Sequence, residues 1–155
     1  MIDFNQQVTA EARRVLVLAR QIAIENKHAY ICSEHILLGI IKAQDEQAIA
    51  IFDRLFIDTI EMHHAVMHFT GVAPSKGGDV DFTPRCKKIF AFALAAARSH
   101  STLVTTAHLM LGIIHEGNSL PATMFQTYKV NEVAIKQAIL LGNPNLENTG
   151  HWQTV

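Results

Sequence analysis

Residues 34–41 read Glu34-His35-Ile36-Leu37-Leu38-Gly39-Ile40-Ile41, and residues 107–114 repeat them as Ala107-His108-Leu109-Met110-Leu111-Gly112-Ile113-Ile114. The offset between these two copies is 73 residues, and farther upstream an offset of 74 aligns Thr9 with Thr83. Self-similarity at a fixed period is the sequence signature of a repeat architecture. We therefore interpret the chain as two copies of one structural unit.

Each copy has the apolar spacing of four helices. In the first copy we expect helices at about Thr9–Asn26, from Ser33 onward, at Glu46–Leu55 and at Asp58–Phe69. In the second copy we expect them at about Thr83–Ser99, from Thr106 onward, at Leu120–Tyr128 and at Asn131–Leu141. Threonine is a good N-cap, and Pro84 suits a first helical position because its missing N–H costs nothing there. No segment alternates with period two, so no strand is assigned, and the expected fold class is all-α.

The two pseudo-symmetric four-helix repeats are expected to form one eight-helix domain over residues 1–142, with repeat one at about 4–69 and repeat two at about 83–141. Residues 70–82 are rich in turn-forming residues and predict a linker, and residues 143–155 predict a flexible tail. Gly39 and Gly112 fall at the same place in both copies. Because glycine inside a helix costs about 1 kcal/mol relative to alanine, its recurrence predicts a close helix–helix approach.

The composition excludes several classes of protein. The chain has 155 residues, of which 49% are hydrophobic and 17% charged, and its formal net charge is −1. Neither nucleic acid nor an anionic membrane is expected as a partner, because both need clustered Lys and Arg. With no export signal, no membrane-length apolar run and only Cys32 and Cys86, a cytoplasmic location without disulfides is expected.

No segment has the spacing of a nucleotide-binding P-loop, so the chain is expected not to hold ATP by such a loop. No cofactor is expected, and the chain is not expected to be an enzyme. A competing hypothesis is a small metal-dependent hydrolase built on His63, His64 and His68. The His-Glu-x-x-His pattern of such enzymes is absent, which favours a solvated polar helix face with no bound metal.

The remaining notable side chains have structural interpretations. His35 and His108 head the second helix of each copy and are expected to cap or pack there. Cys32 is a candidate reactive thiol, although a buried small hydrophobe is the favoured interpretation. Five phenylalanines are expected in the core: Phe52, Phe56, Phe90, Phe92 and Phe125.

The run from Ser33 to Gly39 resembles the Thr-Glu-His-Ile-Leu-Leu-Gly signature of the Clp N-terminal repeat, found in ClpC-type and ClpA-type AAA+ unfoldases. The resemblance covers about residues 4–141. It implies a non-catalytic domain that docks adaptor proteins and protein substrates in front of a Clp ATPase or peptidase assembly. Free-standing accessory subunits of Clp proteases and a helical scaffold that has lost this relation remain open.

The resemblance also implies recognition of phosphorylated arginine, with one site in each repeat. Carried over residue by residue, Thr9 with Glu34 would form the first site, the carboxylate receiving the guanidinium and the threonine lying near the phosphate. Thr83 with Ala107 would form a degenerate second site, because alanine offers no acceptor. Glu34 has an alternative role, since an acidic residue in a first helical turn stabilises the helix dipole by about 0.3–1 kcal/mol.

Overall fold

The computed structural model of the protein describes residues 4–67 and 73–142. Within these ranges the chain forms a short 3₁₀-helix, Phe4–Gln7, and eight α-helices: α1 Ala10–Glu25, α2 Ser33–Ala43, α3 Glu46–Arg54, α4 Thr59–Met67, α5 Pro84–Ser99, α6 Thr106–Glu116, α7 Leu120–Thr127 and α8 Glu132–Gly142. The all-α fold and the order of four helices in each repeat are confirmed. The expected tail and residues 70–72 of the expected linker lie outside the described residues.

Threonines cap the long first helix of each repeat. The Thr9 Oγ1 accepts the Ala12 N–H at 3.1 Å, and the Thr83 Oγ1 accepts the Cys86 N–H at 3.2 Å. Both side chains therefore satisfy one of the backbone donors that a helix leaves unpaired at its start.

Histidines cap the second helix of each repeat. The N-caps of α2 and α6 are Cys32 and Thr105, one residue before the expected Ser33 and Thr106. The His35 Nδ1 accepts the Cys32 N–H at 2.8 Å, and the His108 Nδ1 accepts the Thr105 N–H at 3.0 Å. Each histidine thus fills the place that Glu or Gln takes in a capping box. The capping role expected for both is confirmed.

Each capping histidine is buried against a second histidine. The His35 Nε2 lies 2.8 Å from the His28 Nδ1, and the His108 and His100 ring centroids are 6.0 Å apart. Burial, followed by the charge of the neighbouring histidine, lowers the pKa of His35 and of His108 to about 4. Both capping rings are therefore neutral at pH 7.

The recurrent glycines lie where helices cross. A Cβ built on Gly39 would lie 2.6 Å from the carbonyl oxygen of Val15 in α1, and one on Gly112 would lie 2.5 Å from that of Ile89 in α5. Both distances are too short for a real carbon–oxygen contact. The expected close approach of α1 to α2 and of α5 to α6 is confirmed.

The expectation of no strands was wrong in one place. Strand β1, Tyr30–Ile31, runs parallel to strand β2, Asp81–Phe82, with Ile31 paired to Phe82. Two residues are too few to show a period of two, and their pairing depends on contact between the repeats rather than on local sequence. The pairing puts β2 within residues 70–82, which had been interpreted as a linker.

One of the five phenylalanines expected in the core is outside it. Phe52, Phe90 and Phe125 are buried and Phe92 packs against the core, but Phe56 is 90% exposed. Phe56 ends α3 in the left-handed region, with φ of 56°. The helical spacing that predicted burial stops at this turn, so the side chain points to solvent.

Candidate binding site

The two repeats complete each other's helix starts. The Thr83 N–H, at the start of α5, donates to the carbonyl of Ile31 at 3.0 Å. Ile31 lies three residues before Glu34, in the first turn of α2. We call the region formed by Glu34, Thr83 and Arg85 the α5 site, because the N-terminus of α5 is its centre.

The Glu34 carboxylate acts on the thiols at both helix starts. Burial, with a further contribution from Glu34, raises the pKa of Cys32 to about 12. Burial also raises the pKa of Cys86 to about 11, and Glu34 adds to the rise. Cys32 caps α2 and Cys86 lies in the first turn of α5, so one carboxylate acts on both. The two free thiols stay protonated at neutral pH, which makes Cys32 a poor nucleophile.

The α5 site combines a carboxylate with a positive helix start. Glu34 is half-buried, while Arg85 is half-exposed and places its Nε 3.3 Å from the Glu116 Oε1. The first turn of α5 contains no acidic residue, and Lys87 and Lys88 follow it. Backbone N–H groups and the helix dipole at such an end favour an anion.

The corresponding region of the other repeat is closed. We call the region formed by Thr9, Glu11 and Ala107 the α1 site, after the helix that starts there. The Thr9 N–H donates to the Val104 carbonyl at 2.9 Å. Ala107 is 0% exposed, and its N–H donates to the Gln47 Oε1 at 3.1 Å. Glu11 places a negative charge in the first turn of α1, where the α5 site has Arg85.

A second contact between α6 and the N-cap of α3 also closes the α1 site. The Thr106 hydroxyl donates to the Asp45 Oδ2, and Asp45 is also the N-cap of α3. The start of α6 is therefore held by α3 instead of being open to a ligand.

The predicted pairing of site residues stays a prediction. The sequence paired Thr9 with Glu34 and Thr83 with Ala107. Backbone hydrogen bonds join Thr83 to Ile31, three residues before Glu34, and Thr9 to Val104, three residues before Ala107. These bonds favour the opposite pairing, of Thr83 with Glu34 and of Thr9 with Ala107. Arg85, which follows the capping Thr83 and Pro84, was not among the predicted site residues.

The histidine cluster of the hydrolase hypothesis is only partly within the described residues. The His63 and His64 rings meet edge to face, with centroids 6.2 Å apart, and His68 lies outside the described ranges. Over residues 4–67 and 73–142, no group of three His, Cys, Asp or Glu side chains could hold a metal ion.

Nor is any helix in those ranges long and apolar enough to cross a membrane.

Comparisons with known proteins agree on one family. The family model of the Clp repeat (R) N-terminal domain matches residues 7–128. The ATP-binding subunit ClpC of the ATP-dependent Clp protease from Staphylococcus aureus (strain USA300) is 30% identical over 145 residues, which is 92% of this chain. The chain spans 18% of the length of that relative.

Solved structures show the same fold at lower sequence identity. The N-domain of ClpV from Vibrio cholerae has a TM-score of 0.77 at 13% identity, covering 90% of this chain and 89% of that one. A complex of the ClpV N-domain with a VipB peptide has a TM-score of 0.74 at 12% identity, covering 88% of this chain and 87% of that one.

Proposed function

The chain belongs to the Clp repeat N-terminal domain family, and on this premise we propose that it is a non-catalytic recognition domain. It docks adaptor proteins or protein substrates for a Clp-type ATP-dependent unfoldase or protease assembly. The observation that carries this proposal is the family match over most of an eight-helix fold. A ClpV N-domain of the same fold binds a VipB peptide, which supports peptide docking as the activity of this architecture.

The test is association with a Clp assembly. We expect the tagged chain, or the longer protein that contains it, to co-purify with a Clp ATPase or peptidase core from its own cells. ATP turnover by the purified 155-residue chain alone would contradict a purely recognitional role. Failure to find any Clp component would favour a scaffold that has lost the relation.

Within this role, we propose that the α5 site recognises phosphorylated arginine. A phosphoarginine carries planar N–H donors, which match the Glu34 carboxylate, and a phosphate, which matches the start of α5. Thr83 and Arg85 supply a hydroxyl and a cation at that start. The half-buried Glu34, with no acidic residue in the first turn of α5, is the observation that supports this assignment.

The α1 site is proposed to be the degenerate one. Ala107 offers no acceptor, its N–H is already bonded to Gln47, and Glu11 repels an anion. A single phosphoarginine should therefore bind per chain. Isothermal titration calorimetry with free phosphoarginine measures this stoichiometry directly.

Substitutions at the start of α5 and at the start of α1 should affect phosphoarginine binding differently. Losing a charged hydrogen-bond partner costs about 1.5–3 kcal/mol, so Glu34→Gln should weaken binding about tenfold to hundredfold. Thr83→Ala should also weaken binding, whereas the matched cap variant Thr9→Ala should leave it unchanged. Two equal sites in the wild type would contradict the asymmetry, and a loss of binding in Thr9→Ala would restore the pairing that the sequence predicted.

A further inference from the structure

The turn between α3 and α4 exposes two large apolar side chains. Phe56 is 90% exposed and Ile60 is 72% exposed. Phe56 also has a φ of 56°, a conformation that bulky residues rarely adopt. Large exposed apolar side chains that cluster together are typical of interaction sites rather than of folding requirements.

The second repeat makes the same turn without these side chains. Lys129 stands in place of Phe56, has a φ of 60°, and donates its N–H to the Gln126 carbonyl, as Phe56 does to that of Asp53. Val133 stands in place of Ile60. The fold therefore requires the left-handed turn but not an aromatic side chain in it.

The charges around the turn differ between the repeats in the same way. Asp53, Asp58 and Glu61 are close to the exposed pair in sequence, and all three are exposed. Their counterparts in the second repeat are uncharged: Gln126, Asn131 and Ala134. Asp58 has a structural role as well, since its Oδ1 accepts the Ile60 and Glu61 N–H groups at 3.0 and 3.1 Å. Within residues 4–67 and 73–142 the Asp53 carboxylate has no comparable hydrogen bond, and Arg54 is the one base among residues 53–61.

A cleft lined by both polar and apolar side chains lies beside the turn. It has a volume of about 150 Å³, and Asp53, Ile57 and Thr59 contribute to its lining. Its other apolar walls include Ile49, which is 39% exposed, and Phe52. A space of roughly this volume has room for one benzene-sized group.

We propose that this surface, formed by Ile49, Asp53, Phe56 and Ile60 and here called the turn patch, docks a basic amphipathic segment of another protein. An aliphatic side chain of the segment enters the cleft, Phe56 and Ile60 pack on its apolar face, and its Lys or Arg pairs with Asp53 and Glu61. The acidic rim selects a basic partner, because like charges next to an apolar contact disfavour binding. This recognition is separate from the α5 site and does not depend on Glu34.

The test uses two synthetic helical peptides with the same leucine pattern. One has lysine at its polar positions and the other has glutamate. Titrated into the ¹⁵N-labelled chain, the lysine peptide should shift the amide resonances of residues 49–61, with an affinity at least about tenfold above that of the glutamate peptide. Phe56→Ser combined with Ile60→Ser should lower the affinity for the lysine peptide by about tenfold or more. Asp53→Asn should weaken binding of the lysine peptide by a smaller factor, and this loss should be larger at low salt than at high salt.

Matched substitutions in the second repeat provide the control. Lys129→Ser combined with Val133→Ser changes the equivalent turn and should leave peptide binding unchanged. Equal affinity for both peptides, or shifts that map elsewhere, would overturn the proposal. A dimer in sedimentation experiments that dissociates in the Phe56→Ser variant would also overturn the proposal, because a second copy of this chain would then cover the turn patch.

Discussion

At the scale of single residues, Gly39 and Gly112 set how closely the paired helices approach. Replacing either by alanine would place a methyl group within 2.6 Å of a backbone oxygen, which cannot rotate away as a side chain does. In an open helix the same change stabilises by about 1 kcal/mol, so the expected sign is reversed here. We expect each variant to lose about 1–3 kcal/mol of unfolding free energy, measured by urea denaturation.

The control for this prediction is Ala91→Gly on the exposed face of α5, which should cost about 1 kcal/mol through helix propensity alone. A gain in stability for Gly39→Ala would show that α1 and α2 do not pack as described.

The capping histidines should make stability depend on pH. Because the pKa of His35 and of His108 falls from 6.5 to about 4 on folding, the unfolded chain binds more protons between these values. Their contribution is therefore complete above pH 6.5 and is lost as the pH falls toward 4. Urea denaturation across this range should show a loss of order 1–3 kcal/mol per histidine.

Glutamine provides the matched variant, because it keeps an acceptor for the N-cap N–H and does not titrate. His35→Gln combined with His108→Gln should flatten the dependence on pH relative to the wild type. An unchanged slope would assign the acid sensitivity to carboxylates elsewhere.

At the scale of elements, the start of α6 depends on α3. Asp45 caps α3 through the Ala48 N–H and also accepts the Thr106 hydroxyl, while its counterpart Ser119 caps α7 through the Ala122 N–H. Ser119→Ala should cost about 1 kcal/mol, the usual loss for a cap. Asp45→Ala should cost more, by about 1.5–3 kcal/mol, because it also removes a hydrogen bond to a charged group. Equal losses in thermal or urea unfolding would show that the contact with Thr106 contributes nothing.

The helices were predictable because their signals are local. Thr9 and Thr83 cap as expected, and the apolar spacing ended close to the observed helix ends. Contacts between the repeats were not predictable in this way. The bond from Thr83 to Ile31 accompanies β1 and β2, and the bond from Thr9 to Val104 accompanies the single bridge between Val8 and Val104. Such pairings are too short to have a sequence pattern. The exposure of Phe56 depends on a turn that interrupts helical spacing without a glycine or proline to mark it.

At the scale of the whole molecule, neither repeat should fold alone. The first turns of α1 and α5 each bond to an extended segment of the other repeat, and the core runs through both. Separate chains of residues 1–76 and 77–155 should each show weak, non-cooperative unfolding by circular dichroism, and mixing them should restore a cooperative transition.

The control is the full chain cut between Gly77 and Gly78, where residues 73–79 are exposed and outside any helix or strand. The nicked protein should keep its helical spectrum. Cooperative unfolding of the isolated first repeat would show that the crossed contacts are dispensable.

The crossed helix starts also bear on how such a molecule can change over evolutionary time. Two identical units with this geometry would associate about a two-fold axis, as subunits of a symmetric homodimer do. The start of a helix in each unit would then bond to a segment of the other unit. In such a dimer every substitution alters both sites at once. Joining the units in one chain removes that constraint. Glu34 can then occupy one helix start while Ala107 occupies the equivalent position at the other, so the two ends can differ in chemistry independently.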